Sequence, residues 1–124
     1  MSLLLDTHVV LWWRENSPRL GQEARNAIAR ADLVYVSAAS AWEVAIKIRL
    51  GKLRIPGSFA EAVDDSGFSR LPIDFSHAEL VATLPNHHSD PFDRMLVAQA
   101  RAAGLTLVTH DRRFEPYRVP VLWA

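Results

Sequence analysis

The sequence predicts an α/β fold, a central parallel sheet of four or five strands with helices on both faces. Three observations predict it. Short apolar, β-rich runs recur at Leu3 to Leu5, Leu33 to Val36 and Leu105 to Val108, and runs of this kind suit strands buried on both faces. Stretches with helical periodicity separate them, which parallel neighbours require as crossovers. Acidic residues fall where these strands end or the following helices begin, the sheet edge at which open α/β folds place their ligand sites.

Leu3 to Leu5 is a strand stopped by Asp6, and Val9, Val10, Trp12 and Trp13 mark a helix ending near Asn16 and Pro18. Gln22 to Ala31 is a second helix. Leu33 to Val36, bounded by Asp32 and Ser37, is a second strand; it feeds a helix from about Ser40 to Leu50 that Gly51 ends. Within that helix Ser40-Ala41-Trp42-Glu43 matches a capping box, and Glu43 stands four residues before Lys47, a favourable helical pair. A helical stretch around Phe59 to Ser66, a short strand near Arg70 to Ile73 and a helix from about Ser76 to Leu84 follow. Pro91 to Ala103 carries a strong helix signal, with Asp90 placed to cap it, Pro91 at its first position, Asp93 near its positive end and Gly104 after it. Leu105 to Val108 is another buried strand, and Val119 to Trp123, containing Pro120, a last edge strand. With no repeat, linker or low-complexity segment, residues 1–124 are expected to form a single domain.

Composition narrows the function classes. The chain is 49% hydrophobic, and its 14 basic and 14 acidic residues cancel, so no overall positive field advertises a nucleic-acid partner. The absence of cysteine excludes disulfides, thiolate nucleophiles and Cys-based zinc sites. The opening stretch lacks a basic region and carries Asp6 within its apolar run, so neither a signal peptide nor a membrane span is expected, and the expected location is cytoplasmic.

The chemistry lies in the acids. Asp6 and Asp111 follow apolar strands, while Glu43 and Asp93 are expected in the first turns of the next helices, so the fold brings all four together. Carboxylates gathered there would repel one another, and a divalent cation removes that cost. Oxygen ligands without cysteine and without regular histidine spacing favour Mg²⁺ or Mn²⁺ over zinc. His87 and His88 are not expected to make a zinc site, because adjacent residues point apart and no third ligand has the spacing.

An early Asp6-Thr7-His8, then Ser37 to Glu43 with Lys47 to Leu53, then His87 to Ala100 containing DPFDR, then Leu107 to Phe114 containing LVTHDRRF, together resemble a PIN-domain nuclease, in particular the VapC-type toxins. The resemblance spans nearly the whole chain. It implies a three-layer α/β/α sandwich, an acidic Mg²⁺ or Mn²⁺ pocket and hydrolysis of RNA as the toxin of a type II toxin–antitoxin pair. It further implies a homodimer inhibited by a VapB-like antitoxin. Asp6, Glu43, Asp93 and Asp111 match the family's four acids, and Asp90 belongs to the DPFDR variant of the third motif as a supporting cap.

In the expected chemistry one or two divalent ions activate water and neutralise phosphate charge, so no protein nucleophile is needed. Asp6 and Asp93 are the expected principal ligands, with Glu43 and Asp111 binding through water or holding the attacking water. Thr7 and Thr109 flank the pocket as donors to phosphate or to carboxylates. Lys47, Arg49, Lys52 and Arg54, with Arg112 and Arg113 after Asp111, are candidates to grip RNA phosphates. Trp12, Trp13, Trp42 and Trp123 are candidates for base stacking or core, and the Trp12-Trp13 pair for an exposed dimer or antitoxin contact. Two other readings compete: a metal-dependent α/β phosphatase with an aspartyl nucleophile, which wants a second acid where His8 stands, and a non-catalytic RNA-binding module, which has no reason to keep repelling acids together.

Overall fold

The computed structural model describes residues 1–124. Strands β1 (Ser2–Leu5), β2 (Leu33–Ser37), β3 (Ser69–Leu71), β4 (Thr106–Thr109) and β5 (Val121–Trp123) form one parallel sheet in the order β3-β2-β1-β4-β5. Around it lie helices α1 (Thr7–Glu15), α2 (Gln22–Arg30), α3 (Ala38–Arg49), α4 (Phe59–Asp65), α5 (Phe75–Ala82) and α6 (Pro91–Ala103), with a 3-10 helix at Arg112–Tyr117. This is the predicted α/β/α sandwich, with five strands.

The period of two along a strand builds both cores at once. Leu3 and Leu5 face a cluster with Val9, Ile28, Val44 and Val63, while Leu4 between them faces a second cluster with Leu96, Val97, Phe114 and Tyr117. Helices α1, α2 and α4 therefore cover one face, and α6 with the 3-10 helix covers the other.

Strand order decides where a ligand fits. From β1 the chain moves to β2 and then β3 on one side, and returns to β4 on the other side of β1. Connections thus leave the carboxyl ends of β1 and β4 in opposite directions and open a crevice between them. Asp6 stands at one lip and Asp111 at the other, and the Asp6 N–H bonded to the Val108 carbonyl at 2.9 Å ties the lips together.

Several element boundaries differ from the sequence expectation. Helix α3 starts at Ala38, because Ser37 keeps extended backbone and its side chain accepts from the Ala39 N–H. Ser40 is therefore no cap: its hydroxyl lies 2.9 Å from the Thr7 hydroxyl, and Glu43 stands in the second turn of α3. The Asp90 cap and Gly104 stop of α6 match expectation, with Asp90 accepting from the N–H groups of Phe92 and Asp93 and Gly104 at φ 65°. The 3-10 helix went unread because six residues containing Pro116 are too few to show a period, although Phe114 and Tyr117, three apart, are both buried. The Trp12-Trp13 pair is not an exposed contact: Trp12 is buried and Trp13 packs against the first core cluster. The exposed apolar residues here instead include Trp42 and Ile46 of α3 and its C-cap Leu50, spaced by four on one face.

Candidate metal centre

A cavity of about 210 Å³ opens at the crevice, lined by Asp6, His8, Glu43, Lys47, Asp90, Asp93, His110, Asp111 and Arg113. Asp6, Glu43, Asp93 and Asp111, which the sequence singled out, all reach it from four different elements. Asp6 is the N-cap of α1, Glu43 projects from α3, Asp93 from the first turn of α6, and Asp111 caps the 3-10 helix.

The hydroxyl partners of these acids are buried. Asp6 accepts from its neighbour's N–H, Thr7 N, at 2.7 Å on Oδ1 and from Thr109 Oγ1 at 2.7 Å on Oδ2. Thr7 Oγ1 donates to Glu43 Oε1 at 2.7 Å, and Lys47 Nζ stands 3.2 Å from Glu43 Oε2. Thr7 and Thr109 thus orient carboxylates. Thr109 also accepts from the Asp111 N–H at 3.0 Å, which links the two lips of the crevice through one hydroxyl. Both threonine side chains are spent on acids of the pocket.

The electrostatics mark a site short of positive charge. Burial raises the Asp6 carboxyl, opposed by the Thr109 hydrogen bond and by His8. Asp93 is pushed up to about 8, first by burial and then by the charges of Asp6, Asp90, Glu43 and Asp111. Asp111 goes the other way because the Arg113 guanidinium grips it with contacts of 2.7 to 3.1 Å, which favours its anion. A cluster in which one acid is forced to hold its proton near neutral pH is chemically suited to a divalent cation, which would replace that proton. The donors are carboxylate oxygens, the ligand type of Mg²⁺ and Mn²⁺, so the residues present fit such an ion.

Of the basic candidates, Lys47 and Arg113 line the cavity. Arg49, Lys52 and Arg54 are exposed along the end of α3 and the segment after it, and Arg112 lies over the Trp123 ring at 4.0 Å. Trp42 packs edge-on against Phe92.

Three histidines escaped the sequence reading of the site. His8 and His110 line the cavity, with Trp12 packed 6.0 and 4.6 Å from their rings. His88 is buried with Nε2 2.7 Å from Asp93 Oδ2, and its ligand atom, one of Asp93 and one of Asp111 all lie within 4.8 Å of one another. His87 and His88 do point apart, since His87 is exposed against the Tyr117 ring. The signal available was the position of His88, two residues before the Asp90 cap.

The chain is similar to known proteins over nearly its whole length. The family profile described as PIN domain spans residues 3–119. Ribonuclease VapC22 of Mycobacterium tuberculosis is 35% identical over 127 aligned residues, covering 96% of this chain and 94% of the relative. The fold is similar to that in the crystal structure of VapBC2 from Rickettsia felis bound to a promoter DNA fragment, with a TM-score of 0.74, 14% identity and coverage of 99% and 98%. It is similar also to that of FitAcB from Neisseria gonorrhoeae, with a TM-score of 0.67, 24% identity and coverage of 97% and 96%.

Proposed function

The chain belongs to the PIN-domain family, with a ribonuclease VapC relative aligned over nearly its whole length, and from that membership we propose that it is an endoribonuclease, the toxin of a type II toxin–antitoxin pair. The single observation that carries the reading is the convergence of Asp6, Glu43, Asp93 and Asp111 on one cavity at the switch point of the sheet. Residues 1–124 act as one PIN domain in this reading.

Asp6 and Asp93 would be the principal ligands of Mg²⁺ or Mn²⁺, with Glu43 and Asp111 binding it through water or holding the attacking water. When bound, the ion supplies activation of water and neutralisation of charge on the phosphate. The chain's own residues prepare that site. Thr7 holds Glu43 and Thr109 holds Asp6, so both carboxylates are oriented before an ion arrives. Lys47 stands beside Glu43 and meets the incoming phosphate at the cavity wall. Arg113 at the cavity, and Arg49, Lys52, Arg54 and Arg112 outside its lining, are the further candidates for phosphate contacts. Such contacts set the register of the RNA backbone without reading sequence.

A homodimer and a VapB-like antitoxin are the partners in this reading, and the solved structures with the same fold include VapBC complexes. The Trp42, Ile46 and Leu50 face of α3 offers an apolar surface for such a contact. No helix is long and apolar enough to cross a membrane; the site of action in this reading is the cytoplasm.

The test is incubation of purified, partner-free protein with total RNA and with single-stranded DNA, in Mg²⁺, Mn²⁺ or EDTA. Discrete RNA fragments that require the metal are expected. Cleavage of neither polymer by folded protein would instead favour the binding-module reading.

A further inference from the structure

His88 is not one of the four acids, yet its buried side chain touches one of them. Its Nε2 lies 2.7 Å from Asp93 Oδ2. The other ring nitrogen faces a donor, since the Asp90 N–H points at Nδ1 at 3.4 Å. Nδ1 is therefore the acceptor and Nε2 carries the hydrogen, so His88 donates to Asp93. That bond engages Oδ2 of Asp93, a residue that lines the cavity.

The surrounding residues hold the ring in this pose. The His88 carbonyl accepts from Tyr117 Oη at 3.3 Å and from Arg94 Nη1 at 3.5 Å. Arg94 also donates to the carbonyls of Val81, Leu84 and Pro85 at 3.1, 3.4 and 2.9 Å. Although Arg94 adjoins Asp93 in sequence, it faces away from the acids, as neighbours on a helix must. The Phe114 ring meets the imidazole edge-on at 6.3 Å. One short run thus does three jobs: Asp90 caps α6, Arg94 fastens the preceding loop to it, and the fastened loop delivers His88 to Asp93.

We propose that His88 is the positioning residue for Asp93 in the metal centre, its Nε2–H fixing the carboxylate with one oxygen free for a divalent ion. The proposal rests on the reading of Asp93 as a metal ligand. His88 itself stays off the metal, because ligation through Nε2 would move its hydrogen to Nδ1, against the Asp90 N–H.

The experiment is calorimetric titration of Mg²⁺ and of Mn²⁺ into the full chain, comparing wild type with His88→Gln, His88→Asn and Asp93→Asn. The melting curves of the metal-free proteins serve as the check of folding. A glutamine amide reaches the place of Nε2 and keeps a donor there, whereas the asparagine amide stops at the place of Nδ1. His88→Asn is expected to weaken both ions alike, by roughly tenfold or more, and His88→Gln to restore most of that loss. Equal affinities in the two variants, whether both unchanged or both lowered, overturn the proposal. Loss of Mn²⁺ alone, with nitrogen hyperfine coupling in the pulsed EPR spectrum of bound Mn²⁺, makes His88 a direct ligand and overturns it as well. Unchanged binding by Asp93→Asn overturns instead the ligand reading beneath it.

Discussion

Asp93 sets the pH behaviour of the cavity. Its carboxyl is raised to about 8 by burial and by the neighbouring acids, so between the ordinary carboxylate range and pH 8 the folded, metal-free protein holds a proton that the unfolded chain has released. Stability from this group is therefore complete below about pH 4 and falls as pH rises through 8. In EDTA the melting temperature is expected to drop between pH 5 and 8.5, and Asp93→Asn, which cannot titrate, is expected to flatten that drop. A divalent ion competes with the same proton, so its apparent affinity should increase from pH 6 to pH 8 with release of proton into the buffer, measurable by titration in buffers of different ionisation enthalpy. Thr109 offers a second residue-level test. Thr109→Val keeps the shape but removes the donor to Asp6, and is expected to cost about 1 kcal/mol and to weaken metal binding; unchanged affinity would detach Thr109 from the site. The four acids were legible because each stands at a strand end or in an early turn of a helix. His88 was not, because its partner is set by the path of a loop that Arg94 and Tyr117 pin from outside the motif.

Helix α3 shows what spacing alone conveys about an element and what it does not. A serine three residues before a glutamate, opening an apolar helix, fits a capping box, and Ser40 and Glu43 have that spacing. The chain enters the helix earlier because Ser37 ends β2 in extended backbone and caps α3 itself. The shift turns Ser40 and Glu43 inward, where both meet Thr7 of α1, so the apparent cap is a tie between two helices at the site. Ser37→Ala is accordingly expected to cost about 1 kcal/mol in thermal or denaturant unfolding with activity retained. Ser40→Ala is expected to leave helix content unchanged while lowering activity through Thr7 and Glu43; the reverse pattern would reinstate Ser40 as the cap. By contrast α6 was readable to its ends, because Asp90 through its side-chain cap, and Pro91 and Gly104 through backbone conformation, act locally and need no tertiary partner.

At the scale of the whole molecule, function follows from strand order. A sheet ordered β3-β2-β1-β4-β5 has its reversal at β1 and β4, and the chain places an acid directly after each of these strands or one residue later. Alternation of apolar runs with helical stretches was enough to read the parallel sandwich. The order of its strands is set by long-range packing of Leu3, Leu4 and Leu5 into two cores, which no local pattern displays. We propose that this reversal holds a divalent ion between Asp6, Glu43, Asp93 and Asp111, which the anomalous difference map of crystals of the protein grown with Mn²⁺ tests at the site itself. A peak inside the cavity, within coordination distance of Asp6 and Asp93 and absent from Asp93→Asn crystals, is the predicted result. A map with no peak among these four acids, from protein that still cleaves RNA with Mn²⁺, would contradict it.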